Sequence, residues 1–241
     1  MSEHISRKEL KQDKIKETFE HGAEAVYSHS QITLLVVLVL LVAAAAYGGW
    51  RFYSDRQDSA AQQALDLGMK AYSGRVGPAV DPNTDPNEVS YADEAARSQD
   101  ALAKFTAAAG KYPNTKPGKR ARYYAVLCLE DLDKQNQALE ELKKLTSDSD
   151  PEIAAQAQYQ TAVLYHRTGK TEEAIKLFRA LADKHSVFVP RPLVLLELAA
   201  ALKQGNPKEA ATVYQQVKKE YPNSALSEEA DRGLDLISPK S

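Results

Sequence analysis

Residues Ile32 to Trp50, ITLLVVLVLLVAAAAYGGW, make 19 consecutive positions without a charge and with Thr33 as the only aliphatic hydroxyl. At about 1.5 Å per residue a helix of this length is roughly 28 Å long, close to the ~30 Å hydrocarbon core of a bilayer. Leu, Val and Ala occupy every face of the segment, whereas a helix packed on a soluble core shows a polar stripe. The run ends in Tyr47, Trp50, Phe52 and Tyr53 with Arg51 among them. Amphipathic rings and a snorkelling cation collect at a membrane–water interface. A cleaved signal peptide has an apolar core of about 7–15 residues behind a short positive leader. Here 31 residues of both charge signs precede the run, so a retained transmembrane anchor over residues 32–50 is expected. The run Ala43–Ala46 is the one feature that leaves cleavage open.

The anchor and head leave roughly 190 residues for a folded body. With 31 basic and 33 acidic residues and a net charge of −2, the chain has no polyelectrolyte character, which argues against nucleic acid as a partner. Cys128 is the only cysteine, so no intramolecular disulfide can form and the core alone must hold the fold. Lys and Arg close to the anchor divide almost evenly: Lys14 and Lys16 before it, Arg51, Arg56 and Lys70 after it. Arg7, Lys8 and Lys11 tilt the balance weakly towards a cytoplasmic head, and charge counting leaves orientation open.

Residues 1–31 read as a charged, partly helical head. Ser6-Arg7-Lys8-Glu9 has capping-box spacing, and Leu10, Ile15, Phe19 and Val26 form a thin apolar stripe. Beyond the anchor the helical pattern runs on through residues 51–72, as a linking first helix. Residues 73–90 carry Gly74, Gly77, Pro78, Pro82 and Pro86 and read as a mobile loop. Its DPNTDPN pattern lacks the glycine and closing glutamate of a calcium-binding EF-hand loop.

From residue 91 to 241 the chain is a repeat. Alanine followed four residues later by a large side chain occurs as Ala101/Phe105, Ala138/Leu142, Ala174/Phe178 and Ala210/Tyr214, at intervals of 37, 36 and 36 residues. Eight residues after each large member comes Pro113, Asp150 with Pro151 next to it, Ser186 or Pro222. Loops at 133–136, 168–171 and 204–207 lie upstream of the last three pairs. Each pair therefore marks the second helix of a hairpin: the methyl lets two backbones approach, and the large side chain fills the seam with the next hairpin. Neither helix can bury its apolar face alone, so hairpins of this kind stack into a solenoid. The expected fold is all-α, one N-terminal transmembrane helix followed by an α-solenoid of helix hairpins.

Ala-x3-Phe with a following Pro resembles the second helix of tetratricopeptide repeats, in AKFTAAAGKYPNT, IKLFRALADKHS and VYQQVKKEYPNSALSEEA. Ala162 with Tyr165 partly fits the first-helix signature, whereas Leu129 and Ala201 stand in the other hairpins. The interval exceeds the usual period of about 34, which implies degenerate repeats. A single span ending in GGWRFYSDRQDSA (residues 48–60) followed by an alanine-rich helix and degenerate repeats is similar to the YfgM-like family of ancillary Sec-translocon subunits. That resemblance implies a bacterial inner-membrane protein with a cytoplasmic head and a periplasmic repeat domain. It also implies partners among the translocon, periplasmic chaperones or secreted clients.

No catalytic constellation emerges. His4, His21, His29, His166 and His185 have no zinc-site spacing, and Cys128 sits among Ala125, Leu129 and Leu132 as a buried thiol would. Gly169-Lys170-Thr171 matches only the tail of a phosphate-binding loop. The expectation is a non-enzymatic protein without cofactor or metal, whose oligomeric state the sequence does not set. First helices line the concave side of such a solenoid, which nominates Arg120, Tyr123, Tyr124, Leu127, Tyr159, Val163, His166, Arg167 and Leu195 as a protein-binding groove. Aromatic and Arg side chains are favoured as binding anchors, though tyrosines here can instead pack between helices. The Lys/Asn carboxylate clamp of chaperone-binding repeats is missing from these places. A rigid scaffold subunit of an envelope assembly machine is the alternative function.

Overall fold

A computed structural model describes residues 30–77, 89–184 and 186–237. The head with its Ser6–Glu9 capping box, the DPNTDPN segment, and His4, His21, His29 and His185 lie outside the described residues. The chain divides into two compact units, Met1–Arg56 and Gln57–Ser241.

Helix α1, Ser30–Tyr72, runs for 43 residues without interruption. In the first unit its described side chains from Leu34 to Tyr53 are exposed on every face, among them Leu34, Leu41, Trp50 and Phe52. Among the described residues this is the one helix long and apolar enough to cross a membrane. In the second unit the pattern becomes one-sided: Ala61, Leu65, Gly68 and Ala71 are buried. That i, i+4, i+7, i+10 spacing is the stripe of a helix packed against a core.

The other helices are α2 (Glu94–Lys111), α3 (Lys116–Asp131), α4 (Gln135–Leu145), α5 (Pro151–Arg167), α6 (Thr171–Lys184), α7 (Arg191–Leu202), α8 (Pro207–Glu220) and α9 (Ala225–Ile237). Consecutive helices from α2 onward pack on each other, and first helices also meet across repeats: α3 on α5, α5 on α7, α7 on α9. The second unit is therefore an α-solenoid. The expected pairs fall on second helices: Ala101, Ala138, Ala174, Ala210, Phe105, Leu142 and Phe178 are fully buried, and Tyr214 nearly so.

Local chemistry sets the boundaries. Asp93, Thr115, Asp150 and Asn206 accept hydrogen bonds from the N–H groups of Ala96, Gly118, Glu152 and Glu209, capping α2, α3, α5 and α8. Pro151 and Pro207 stand at the first helical position, where the missing N–H costs nothing, so each opens a helix as well as closing the segment before it. Asp133 (φ 54°) and Gly169 (φ 80°) adopt left-handed backbone where α3 and α5 end. The following N–H groups of Lys134 and Lys170 return to the carbonyls of Leu129 and Tyr165, both at 2.8 Å. Gly169-Lys170-Thr171 is thus a helix cap and the start of α6.

Close approach recurs at both ends of the solenoid. A Cβ built on Gly68 would run into the Phe105 ring, whose Cγ would lie at 3.0 Å and whose edge nearer still. One built on Gly233 in α9 would meet the Tyr214 ring, with Cε1 at 2.6 Å. Each terminal first helix thus rests its bare backbone on the ring of a repeat's large residue. Between α1 and α2, β1 (Arg75–Val76) pairs in parallel with β2 (Ser90–Tyr91), Arg75 opposite Ser90. The Tyr91 hydroxyl donates to Asp100 on α2, so the base of the 73–90 segment is docked on the solenoid.

Candidate protein-binding face

The adjacent first helices α3 and α5 run parallel and are tied at both ends. Near their N-termini Glu152 takes Arg120 at 2.8 Å and Lys116 at 2.9 Å. Near their C-termini Glu130, only 5% exposed, accepts two hydrogen bonds from the Gln160 amide, at 2.9 and 3.0 Å, and pairs with Arg167 at 3.0 Å. Burial raises the Glu130 pKa, with the Gln160 hydrogen bond and the Arg167 charge opposing that rise and Asp131 adding to it. Two of the nine nominated residues, Arg120 and Arg167, are thus held in inter-repeat ion pairs.

The tyrosines divide by role. Tyr124 stacks on Phe105 (centroids 5.3 Å apart, planes at 20°) and lies beside Tyr72, so it fills the seam of the first hairpin. Tyr123 and Tyr159 are half-buried on successive first helices. Tyr159 meets Phe178 edge-on, with centroids 6.2 Å apart. Burial, reinforced by the Glu130 charge, pushes the Tyr123 phenol up to about 12. Burial, then the charge of Glu197, pushes Tyr159 up as well. Val163 packs partly against the C-terminal core, and Leu127 is half-exposed. His166 has a buried Nδ1 without a hydrogen-bond partner. Leu195 is 3% exposed among the core residues of α7 and offers no side chain to the surface.

Glu197 enters where sequence spacing nominated Leu195. Its half-buried carboxyl faces Tyr159, His166 and Glu229, and burial is the main cause of its raised pKa. The one signal for it in RPLVLLELAAAL was the lone charge inside an apolar run. Glu130 and Gln160 were also missed, because their interaction spans 30 residues of sequence.

The face thus presents Tyr123, Tyr159, Val163, His166, Glu197 and Leu127: half-buried apolar bodies with polar tips, on helices fixed by ion pairs. It can bury area against another chain at small conformational cost. Among the described residues no three His, Cys, Asp or Glu side chains group as a metal site. Burial pushes the Cys128 thiol up to about 12, leaving it protonated and unreactive at neutral pH.

Residues 136–187 and 159–225 match a tetratricopeptide repeat family model. The two matches overlap and together run from the first turn of α4 to the start of α9. No curated protein matches the chain. A degenerate tetratricopeptide-type solenoid is the architecture of a protein-interaction module, since stacked hairpins offer an extended surface rather than an enclosed site.

Proposed function

We propose that this chain is a non-enzymatic, membrane-anchored protein-binding module. The observation that carries the reading is the strip of Tyr123, Tyr159, Val163, His166 and Glu197 on the first-helix face, in a chain whose α1 is long and apolar enough for a bilayer. The anchor crosses a bacterial inner membrane over residues 32–50, with the head cytoplasmic and the repeats periplasmic. The partners are the Sec translocon, periplasmic chaperones or their clients. The likeness of residues 48–60 and of the overall plan to the ancillary translocon subunits supports this placement.

Affinity purification of the full chain from detergent-solubilised membranes tests the partner. Recovery of translocon components or periplasmic chaperones is the expected result, and recovery of outer-membrane or pilus assembly subunits alone would refute it. Cysteine-accessibility labelling of head and body tests the topology: a body reached only from the cytoplasm would overturn the periplasmic placement.

A second reading, a rigid scaffold in an envelope machine, is favoured by the ion pairs that tie successive repeats: Glu152 with Arg120, Glu130 with Arg167, and Arg179 with Glu209 at 2.6 Å. Under it, charge reversal on the Tyr123–Glu197 strip leaves the purified complex unchanged, whereas under the first reading partners are lost.

A further inference from the structure

The second-helix side carries a surface distinct from the first-helix strip. α4 has 11 residues, whereas its counterparts α6 and α8 have 14 each, so α4 stops about a turn early. Past Leu145 the chain continues as a turn, with Thr146 N–H bonded to the Leu142 carbonyl and Asp148 N–H to the Leu145 carbonyl. A groove of about 550 Å³ opens there between α4 and α6, with α5 as its floor. Tyr165, Leu177 and Leu181 supply apolar lining, and Lys143, Lys176 and Lys184 stand around it against a single carboxylate, Glu173. None of the three lysines is in an ion pair among the described residues. Lys143 and Lys184 lie in last helical turns, where a cation also complements free carbonyls. Lys176, inside α6, has no such role. A fourth amine, that of Lys170, lies 5.3 Å from the Tyr165 ring centroid.

The groove one repeat earlier shows that shape alone does not set this character. Between α2 and α4, over α3, it also holds about 550 Å³ but is edged by Glu140, Glu141 and Arg122, with Arg122 and Glu141 4.0 Å apart. Two neighbouring grooves of equal size thus carry opposite charge.

We propose that the groove between α4 and α6 docks an acidic amphipathic helix of a partner protein, its apolar side chains on the half-buried Tyr165 and Leu177 and its carboxylates on Lys143, Lys176 and Lys184. Helix-in-groove docking joins an apolar stripe to flanking charge, and three lysines against one carboxylate make the complementary stripe acidic. The site is independent of the first-helix strip, so loss of one leaves the other intact.

The test uses the full chain in uncharged phosphatidylcholine nanodiscs and a labelled amphipathic peptide with Leu at i, i+4 and i+7 and Glu between. Comparison peptides replace Glu with Lys, or Leu with Ser. Fluorescence anisotropy should show binding of the Leu/Glu peptide alone. Binding should weaken about tenfold or more in K143E/K176E/K184E, weaken in L177S, and weaken with added salt. Reversal of Lys208 and Lys219 on α8 should leave it unchanged, and circular dichroism of each variant checks folding. Equal binding of the Glu and Lys peptides, or undiminished binding to the folded triple variant, would overturn the proposal. So would self-association that the triple variant abolishes, which would make the occupant a second copy. Phosphatidylglycerol vesicles that bind the same lysines while the peptide does not would make it a lipid face and equally refute a protein helix.

Discussion

The contact between Gly68 and Phe105 permits a test in which one substitution changes sign. Gly to Ala inside a helix gains about 1 kcal/mol of helix propensity. A methyl at Gly68 must overlap the Phe105 ring, which is fully buried and cannot swing away. Overpacking of that kind costs about 1–3 kcal/mol, so Gly68→Ala should be neutral to destabilising by about 2 kcal/mol. Phe105→Ala removes the ring and costs about 3–5 kcal/mol by itself. In that background the methyl has room, and Gly68→Ala should stabilise by about 1 kcal/mol. Gly110, in the last turn of α2 with nothing within 4 Å of a built Cβ, is the internal control. Its change to Ala should stabilise in either background. Thermal melts of the solubilised protein by circular dichroism resolve these values, at about 2–4 °C per kcal/mol for a unit of this size. If Gly68→Ala stabilises the unmodified protein as much as Gly110→Ala does, backbone-on-ring packing at this seam is refuted.

Further expectations follow from the same geometry. Arg167→Met leaves the buried Glu130 carboxylate with Gln160 alone. Because half of the Arg167 side chain is in water, the cost should be about 1–2 kcal/mol, below that of a fully buried pair. Glu130 has a folded pKa above its ordinary value, so the folded state holds the extra proton and this group's contribution falls as pH rises through the folded value. The Arg167→Met penalty should therefore be larger at pH 8 than at pH 5 in urea titrations, and a reversed trend would contradict the desolvation argument. Tyr123 is held near 12 while an unfolded tyrosine titrates near 10, so folding stability should drop between those pH values. Tyr123→Phe should shallow that drop in urea titrations across the same range. At Gly118 a Cβ would lie 2.7 Å from the Tyr112 carbonyl carbon and nearer its oxygen, both backbone atoms, so Gly118→Ala should cost about 3 kcal/mol or more in the same melts. Trp50 is the only tryptophan; in liposomes its emission should be blue-shifted and quenched by shallow brominated lipids, and free quenching by aqueous iodide would place it outside the interface.

Much of the solenoid was legible because its signal repeats. Ala101, Ala138, Ala174 and Ala210 announce the second helices, since close helix crossing demands a small residue at a fixed phase. The first-helix face was less legible. In α7, apolar residues fill almost every position, so periodicity could not tell that Leu195 turns into the core while Glu197 turns towards Tyr159. The buried Glu130 looks like an ordinary helix-end charge between Leu129 and Asp131; its partners lie 30 and 37 residues away and carry no local mark. Two-residue strands at the base of the 73–90 segment have no period at all. The early end of α4, beside the lysine-lined groove, has no breaker closer than Asp150-Pro151.

A binding module of this kind must meet another protein through its first-helix face. Photocrosslinking in native membranes is the most direct measurement, with p-benzoylphenylalanine placed singly at Tyr123, Val163 and His166 on that face, and at Lys208 and Lys219 on α8 as references. One discrete set of crosslinked proteins is expected, shared by the three face positions and absent from the α8 positions. Indistinguishable crosslinks at both sets, or none at the face while the protein remains folded and membrane-bound, would contradict it.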